Sequence, residues 1–377
     1  MSKIMSQKIT LALLVMATSL FADSQVNISN TNFTLRQSNT TYNYDRLRLS
    51  DNYTQGDYYL SFIGDLVNYY GHGYVKSVDF SYIKALKSDT NFATQTSFYD
   101  YGSGVAYAKM YRFYAGFADE KNNIALGLQN IPMGVGKFWN PTNIFNPQNA
   151  YALEPDEVFG VMALSYTRSL SPTSSVRIVA SQRKNNTLKY ALRYKTFVKI
   201  ADFAVDVIKS DDTTMLGYEI QGNLAKTGIE LQSEGAYIKS SIKTTESQRE
   251  NQEFYQATLG ADYGFVNGVT VTTEILYSSK TFDSSQILLN YNSEIATNLT
   301  DSNVHLAFSL SYDFNIFLSG SMTYIEALNR SKSKFFSPAI TYTLNDYNTF
   351  TLGGMIYNKS QDSRSTDTYY LKYALSF

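Results

Sequence analysis

Apolar and polar positions alternate along nearly the whole chain. In 269–277, Val269, Val271, Thr273, Ile275 and Tyr277 share one face, and Thr270, Thr272, Glu274 and Leu276 the other. In 303–314, Val304, Leu306, Phe308, Leu310, Tyr312 and Phe314 oppose Asn303, His305, Ala307, Ser309, Ser311 and Asp313. A period of two sustained in this way predicts β-strands with one apolar and one polar face. Strands of soluble sandwiches average about five or six residues. Here the runs reach about 9–14 residues, the length a tilted strand needs to cross a bilayer. From residue 104 onward the pattern predicts strands near 104–118, 123–133, 158–170, 174–183, 187–198, 201–210, 213–224, 227–240, 252–265, 269–281, 301–314, 316–328, 335–344, 348–359 and 367–377. Before it, 42–51 and 57–70 read as strands, with a further one in 26–38 or 76–99.

The expected fold is therefore all-β: a transmembrane antiparallel barrel of about 18 strands, with 16 the next count, because single-chain bacterial barrels close on even numbers. Residues 1–22 read as a signal peptide, with Lys3 and Lys8 ahead of an apolar stretch, Ile9–Thr18, and a cleavage point near Ala22. Residues 23–41 read as an N-terminal segment and 42–377 as the barrel. Going back from the C-terminus, short links alternate with longer polar ones, as periplasmic turns alternate with outer loops. The chain ends YYLKYALSF, with Tyr369, Leu371, Tyr373, Leu375 and Phe377 on one face. This resembles the C-terminal signal that outer-membrane proteins present to the barrel-assembly machinery, although Lys372 stands where Gly is usual. The expected location is the outer membrane, with its lipid and lipopolysaccharide as surroundings and a homo-oligomer as one possible state.

Composition fits that picture. Aromatics make up 15 % of the chain, with 32 Tyr, 23 Phe and one Trp, and charged residues only 17 %. Soluble domains carry roughly 25 % charged residues. The net charge of −1 has no basic tract behind it, which argues against a nucleic-acid partner. Without Cys there is no disulfide scaffold and no thiolate metal site.

With the polar faces turned inward, charge segregates by strand. Arg177, Arg183, Lys189, Arg193 and Lys195 form a basic sector. Asp202, Asp206, Glu219, Glu230, Glu234, Asp262 and Glu274 form an acidic one. Two readings stay open. The sectors set ion selectivity, as opposed charges do in diffusion porins, or neighbouring charges pair and fill the lumen.

One segment breaks the rhythm. Residues 129–157 hold Pro132, Pro141, Pro147 and Pro155, four of the six prolines, and the only tryptophan, Trp139. Proline cannot donate to a strand ladder, so this is a stiff loop. It either folds into the barrel as a constriction, with Lys137, Trp139, Asn140, Asn143, Asn146, Glu154, Asp156 and Glu157 around the eyelet, or caps the rim. Gln129, Ile131, Pro132, Gly134, Gly136, Trp139, Asn140, Pro141, Thr142, Phe145, Asn146 and Pro147 resemble a GRQ-R-IPWG-GR-WNPTDxFNP segment of large Gram-negative outer-membrane porin-like proteins. Met133 replaces a Trp and Asn143 an Asp. The resemblance implies porin-like transport and no particular solute.

No catalytic, cofactor or metal site emerges. Neither His72 nor His305 has Ser two positions on, as a barrel phospholipase requires, and Ser309 lies about 13 Å along the strand from His305. The expected function is a channel for passive or substrate-biased diffusion of small polar solutes or ions. The alternative is a closed structural or surface-interaction barrel.

Overall fold

A computed structural model describes residues 24–358 and 366–377, so the expected signal peptide lies outside the described residues. Eighteen long antiparallel strands close into one barrel. They are β1 Ser24–Gln37, β2 Thr40–Gln55, β3 Tyr58–Tyr70, β4 Gly104–Ala118, β5 Asn122–Gln129, β6 Val161–Ser171, β7 Ser174–Gln182, β8 Leu188–Val198 and β9 Ala201–Lys209. They continue with β10 Thr213–Asn223, β11 Glu230–Lys243, β12 Arg249–Gly264, β13 Val269–Ser278, β14 Val304–Asn315, β15 Leu318–Ala327, β16 Lys334–Asn345, β17 Asn348–Asn358 and β18 Thr366–Ser376. Each strand pairs with its sequence neighbours, and β1 closes on β18 from Ser29↔Ser376 to Gln37↔Thr368. Closure leaves no edge strand, as a lipid surrounding demands, and where β4 runs past β5 its Val105 and Ala106 pair with Asp100 and Tyr99.

The alternation of the sequence maps onto the two sides of this wall. On β8, Leu188, Tyr190, Leu192 and Tyr194 are exposed on the outside, while Lys189 and Ala191 are buried inside. The same holds on β9, where Val205 and Val207 face out and Ala204, Asp206 and Ile208 face in. Tight turns crowd the end where Ser24 and Phe377 lie: β14–β15 and β16–β17 are joined by Ile316–Phe317 and Asp346–Tyr347. Connections 71–103, 130–160 and 279–303 leave the other end.

Two expectations about the first hundred residues change. The 23–41 segment does not precede the barrel; Ser24–Gln37 is its first strand. Of the two places expected for a further strand, 26–38 holds it, although alternation inverts halfway along β1. Phe33 and Leu35 point inward and are buried, and Asn30, Asn32 and Thr34 point outward. The inward pair covers a plug at the long-loop end. Within 76–99 lies no long strand but helix α2, Val78–Ala85, preceded by the short helix α1, His72–Val75. Ser77 caps α2 by accepting the Phe80 N–H. Phe80, Tyr74 and Val75 pack on Phe33, Leu35, Tyr42 and Val105 inside the barrel.

Candidate functional site

The 130–160 connection turns into the barrel. Strand β5 stops at Gln129, short of the expected 133, because Pro132 cannot extend the ladder. Ile131, Met133, Ile144 and Phe145 then bury themselves against inward Val161, Val179, Ala191, Ile208 and Met215. These wall positions are apolar because they receive the loop instead of water.

Three glutamates on the wall fasten the loop backbone. Glu219 accepts the Gly134 N–H at 2.8 Å. Glu234 accepts from the N–H groups of Val135 at 2.6 Å, Gly136 at 3.0 Å and Thr142 at 3.0 Å, and from the Thr142 hydroxyl at 3.0 Å. Glu274 accepts from Lys137 at 2.7 Å, Phe138 at 3.4 Å and Trp139 at 2.9 Å. Gly134 adopts φ +90, and a Cβ there would stand 2.5 Å from a Glu234 oxygen. Only glycine lets the backbone approach the carboxylate so closely. Asn143 and Asn146 hold the loop to itself: Asn146 accepts the Ile131 N–H at 2.6 Å, and Asn143 donates to the Asn146 carbonyl at 2.9 Å.

From there the loop follows the inner wall round. The Trp139 ring meets His305 of β14, and Tyr151 packs edge-on to Phe335 of β16 and Tyr357 of β17. Glu154 pairs with Arg46 of β2 at 3.0 Å and Lys372 of β18 at 3.7 Å. Glu157 pairs with Arg46 and Arg48 at 3.1 and 2.8 Å, and Arg48 also holds Asp65 of β3 at 2.7 Å. Arg112 of β4 donates to the Val158 carbonyl at 3.1 Å. Burial would raise the Glu157 carboxyl, but the Arg48 hydrogen bonds and the Arg46 and Arg48 charges outweigh it and hold it below the ordinary range.

A second network closes the long-loop end. Arg183 pairs with Asp89, Asp211, Asp212 and Glu294. Lys189, fully buried, reaches Asp89 at 3.3 Å, Glu294 at 3.1 Å and the Ile144 carbonyl at 2.8 Å. Thus 86–98 and 279–303 are tied to the 130–160 loop through one ammonium.

The inferred sectors are therefore not two free walls. Arg193 grips Glu219 with both nitrogens, at 2.7 and 2.5 Å, and lies 3.8 Å from Asp206. Lys195 meets Asp202 at 3.2 Å. Lys137 lies 3.8 Å from Glu230 and 3.4 Å from Asp262. Arg177 alone of the basic set has no acidic partner among the described residues, and its buried Nε has no hydrogen bond. It stands in register with Arg193.

No protein-family model matches the chain, and no curated protein matches its sequence. Solved structures do match. OccAB1 of Acinetobacter baumannii superposes with a TM-score of 0.64 at 10 % identity, over 94 % of this chain and 97 % of the other. OccK8 of Pseudomonas aeruginosa gives 0.60 at 11 % identity, over 94 % and 98 %. OpdK of Pseudomonas aeruginosa with vanillate gives 0.55 at 10 % identity, again over 94 % and 98 %. The fold is that of the Occ porins.

Within this porin fold the inferred residues divide. Asp206, Glu219, Glu234 and Glu274 face inward but lie under the loop, so their carboxylates meet loop N–H groups or Arg193 instead of open lumen. Arg183 and Lys189 lie under the loops of the mouth. Arg177, Lys195, Asp202, Glu230 and Asp262 remain on the inner wall, the last two beside Lys137. In the loop, Asn143 and Asn146 turn into its own core, while Asn140 and Asp156 bracket Gln148 at 3.5 and 3.0 Å. The expected pore-lining set lacks Arg46, Arg48, Asp65 and Arg112, which the structure places at the loop. Their strands were recognised without a facing, although Arg46 and Arg48 alternate with Leu47 and Leu49 in the same period of two.

Proposed function

We propose that the chain is an outer-membrane channel for diffusion of small polar solutes or ions, exported after cleavage near Ala22, with its narrowest part at the 130–160 loop and a bias towards small anions. The observation that carries the bias is Arg177. Glu219 neutralises its in-register neighbour Arg193, the three loop-bearing glutamates are occupied by backbone N–H groups, and Arg177 keeps its charge without an internal counterion. A half-buried charge without a partner is less well solvated than a free one, and a passing anion offsets that cost. The OpdK structure contains vanillate, an aromatic carboxylate, which makes benzoate-type anions the natural probe set.

The test is a planar-bilayer recording of the refolded protein. Discrete conductance steps with a reversal potential displaced towards the anion are expected in a salt gradient. Arg177→Glu moves that potential towards the cation. Silence from a folded, heat-modifiable barrel would favour a closed surface barrel instead, and an unchanged potential in Arg177→Glu would remove the anion bias.

A further inference from the structure

The tight turns at the end where Ser24 and Phe377 lie differ from one side of the barrel to the other. Turns that face water are built mainly from Gly, Pro, Asn, Asp and Ser. Three turns keep to polar and turn-forming residues: Gly56–Asp57 between β2 and β3, Asp119–Glu120–Lys121 between β4 and β5, and Pro172–Thr173 between β6 and β7. Asp119 accepts the N–H groups of Lys121 and Asn122, which closes its turn without an apolar contact. The next five turns break the rule. Ile200 stands between β8 and β9, Leu224 after β10, Phe265 and Val266 after β12, Ile316 and Phe317 between β14 and β15, and Tyr347 between β16 and β17. All are exposed, with Ile316 at 86 % and Ile200 at 69 %.

These side chains continue the aromatic edge of the outer wall. Tyr263 packs on Phe265 with ring centroids 4.5 Å apart, and Tyr312 on Phe314 at 5.0 Å. Aromatic rings of this kind mark the level of the lipid–water interface. Ile316 lies two residues beyond Phe314, at most about 7 Å further along the strand direction. On the other side the corresponding pair is Tyr58–Phe117, and the chain passes from it directly to Asp57 and, two residues beyond Phe117, to Asp119. Charge divides the same way. The polar turns carry Asp57, Asp119 and Glu120 against Lys121, and the apolar turns carry Lys199 and Lys226 against Asp346.

We propose that the turns of β8–β17 are a lipid anchor. Their apolar side chains enter the headgroup region of the phospholipid leaflet on the periplasmic side, while the turns of β2–β7 stand in water, so the membrane boundary crosses the wall obliquely. The occupant is phospholipid because the patch is continuous with the outer wall and its lysines reach back to lipid phosphates, whereas acidic residues hold the opposite turns away from them. The inference rests on the membrane-embedded reading of the barrel.

The chain has no cysteine, so one introduced thiol reports on one site. Val266→Cys, Ile316→Cys, Asp57→Cys and Glu120→Cys, each labelled with a polarity-sensitive fluorophore, are refolded into vesicles of phosphatidylcholine and phosphatidylglycerol. Emission from 266 and 316 is expected to lie to the blue of that from 57 and 120, and to be quenched severalfold more strongly by lipid spin-labelled near the headgroup. Without any label, Val266→Asp with Ile316→Asp should insert into vesicles severalfold less well than wild type, yet refold equally in detergent by heat-modifiable gel shift. Equal quenching at the four sites, or unimpaired insertion of the double variant, overturns the anchor. Shielding of 266 and 316 in cell envelopes with none in vesicles would assign the patch to a periplasmic protein and overturns it too. Labelled Leu352→Cys, on the exposed apolar wall, tests the underlying reading separately: absence of lipid quenching there overturns the membrane-embedded barrel itself.

Discussion

Glu234 of β11 accepts the backbone N–H of Val135 at 2.6 Å, from the far side of a loop that begins at β5. The same carboxylate takes three further donors, so one side chain fixes both Val135–Gly136 and Thr142. Charge-assisted hydrogen bonds contribute about 1.5–3 kcal/mol each. Glu234→Gln replaces an acceptor oxygen by an NH2 that faces donors. The loop should detach on that side, and single-channel current should become noisier with a larger mean conductance. A Glu234→Gln channel as quiet as wild type would mean that Glu219 and Glu274 suffice.

The barrel was legible because period-two alternation is a direct image of a wall with lipid on one side and polar groups on the other. Tyr190 and Lys189 announce their sides at once. What was not legible has two causes. Where a loop fills the lumen, inward positions become apolar, as with Ile208 and Met215 under Ile144 and Phe145, and the alternation fades. Where the outer wall turns polar, as at Asn30 and Asn32, it inverts. The charges of the lumen could be assigned to a side but not to a partner. Glu219 looks the same in sequence whether it faces an ion path or a loop N–H, and the choice is made by a loop eighty-five residues away.

The Arg48–Glu157 clamp fixes the opposite limb of the loop. Since the Glu157 carboxyl is held below its ordinary value, the stability it contributes is present above the unfolded value of about 4.3 and is lost as pH falls through the lower folded value. Glu157→Gln should therefore raise protease sensitivity of the loop relative to wild type at pH 7 and still at pH 5. The difference should vanish only in stronger acid. If it vanishes by pH 5, the arginines do not hold the carboxylate.

At the mouth, Lys189 serves Asp89, Glu294 and the Ile144 carbonyl together. Removing one partner from a buried ion pair costs about 3–5 kcal/mol, because the other charges stay buried. Lys189→Ala should loosen 86–98 and 279–303 jointly, seen as faster hydrogen exchange in both. Lys189→Met with Glu294→Gln, which removes opposite charges together, should recover much of the protection. Loosening of a single loop would show that the two are held independently.

Closure of the barrel ends at Phe377. Its N–H donates to the Ile28 carbonyl at 2.9 Å, its carbonyl accepts the Ile28 N–H at 3.4 Å, and its ring lies against Tyr347. These bonds join the last residue to the first strand, so they can form only when all the intervening strands are in register. The β1–β18 seam has the largest sequence separation of any in the fold, and such contacts form late because loop entropy must be overcome first. Phe377→Ala keeps both backbone bonds and removes the aromatic anchor that the assembly machinery is expected to read. Folded, heat-modifiable barrel in cells should fall severalfold, while refolding into detergent, where no machinery acts, should change little. Equal losses in both settings would assign Phe377 to stability of the seam alone.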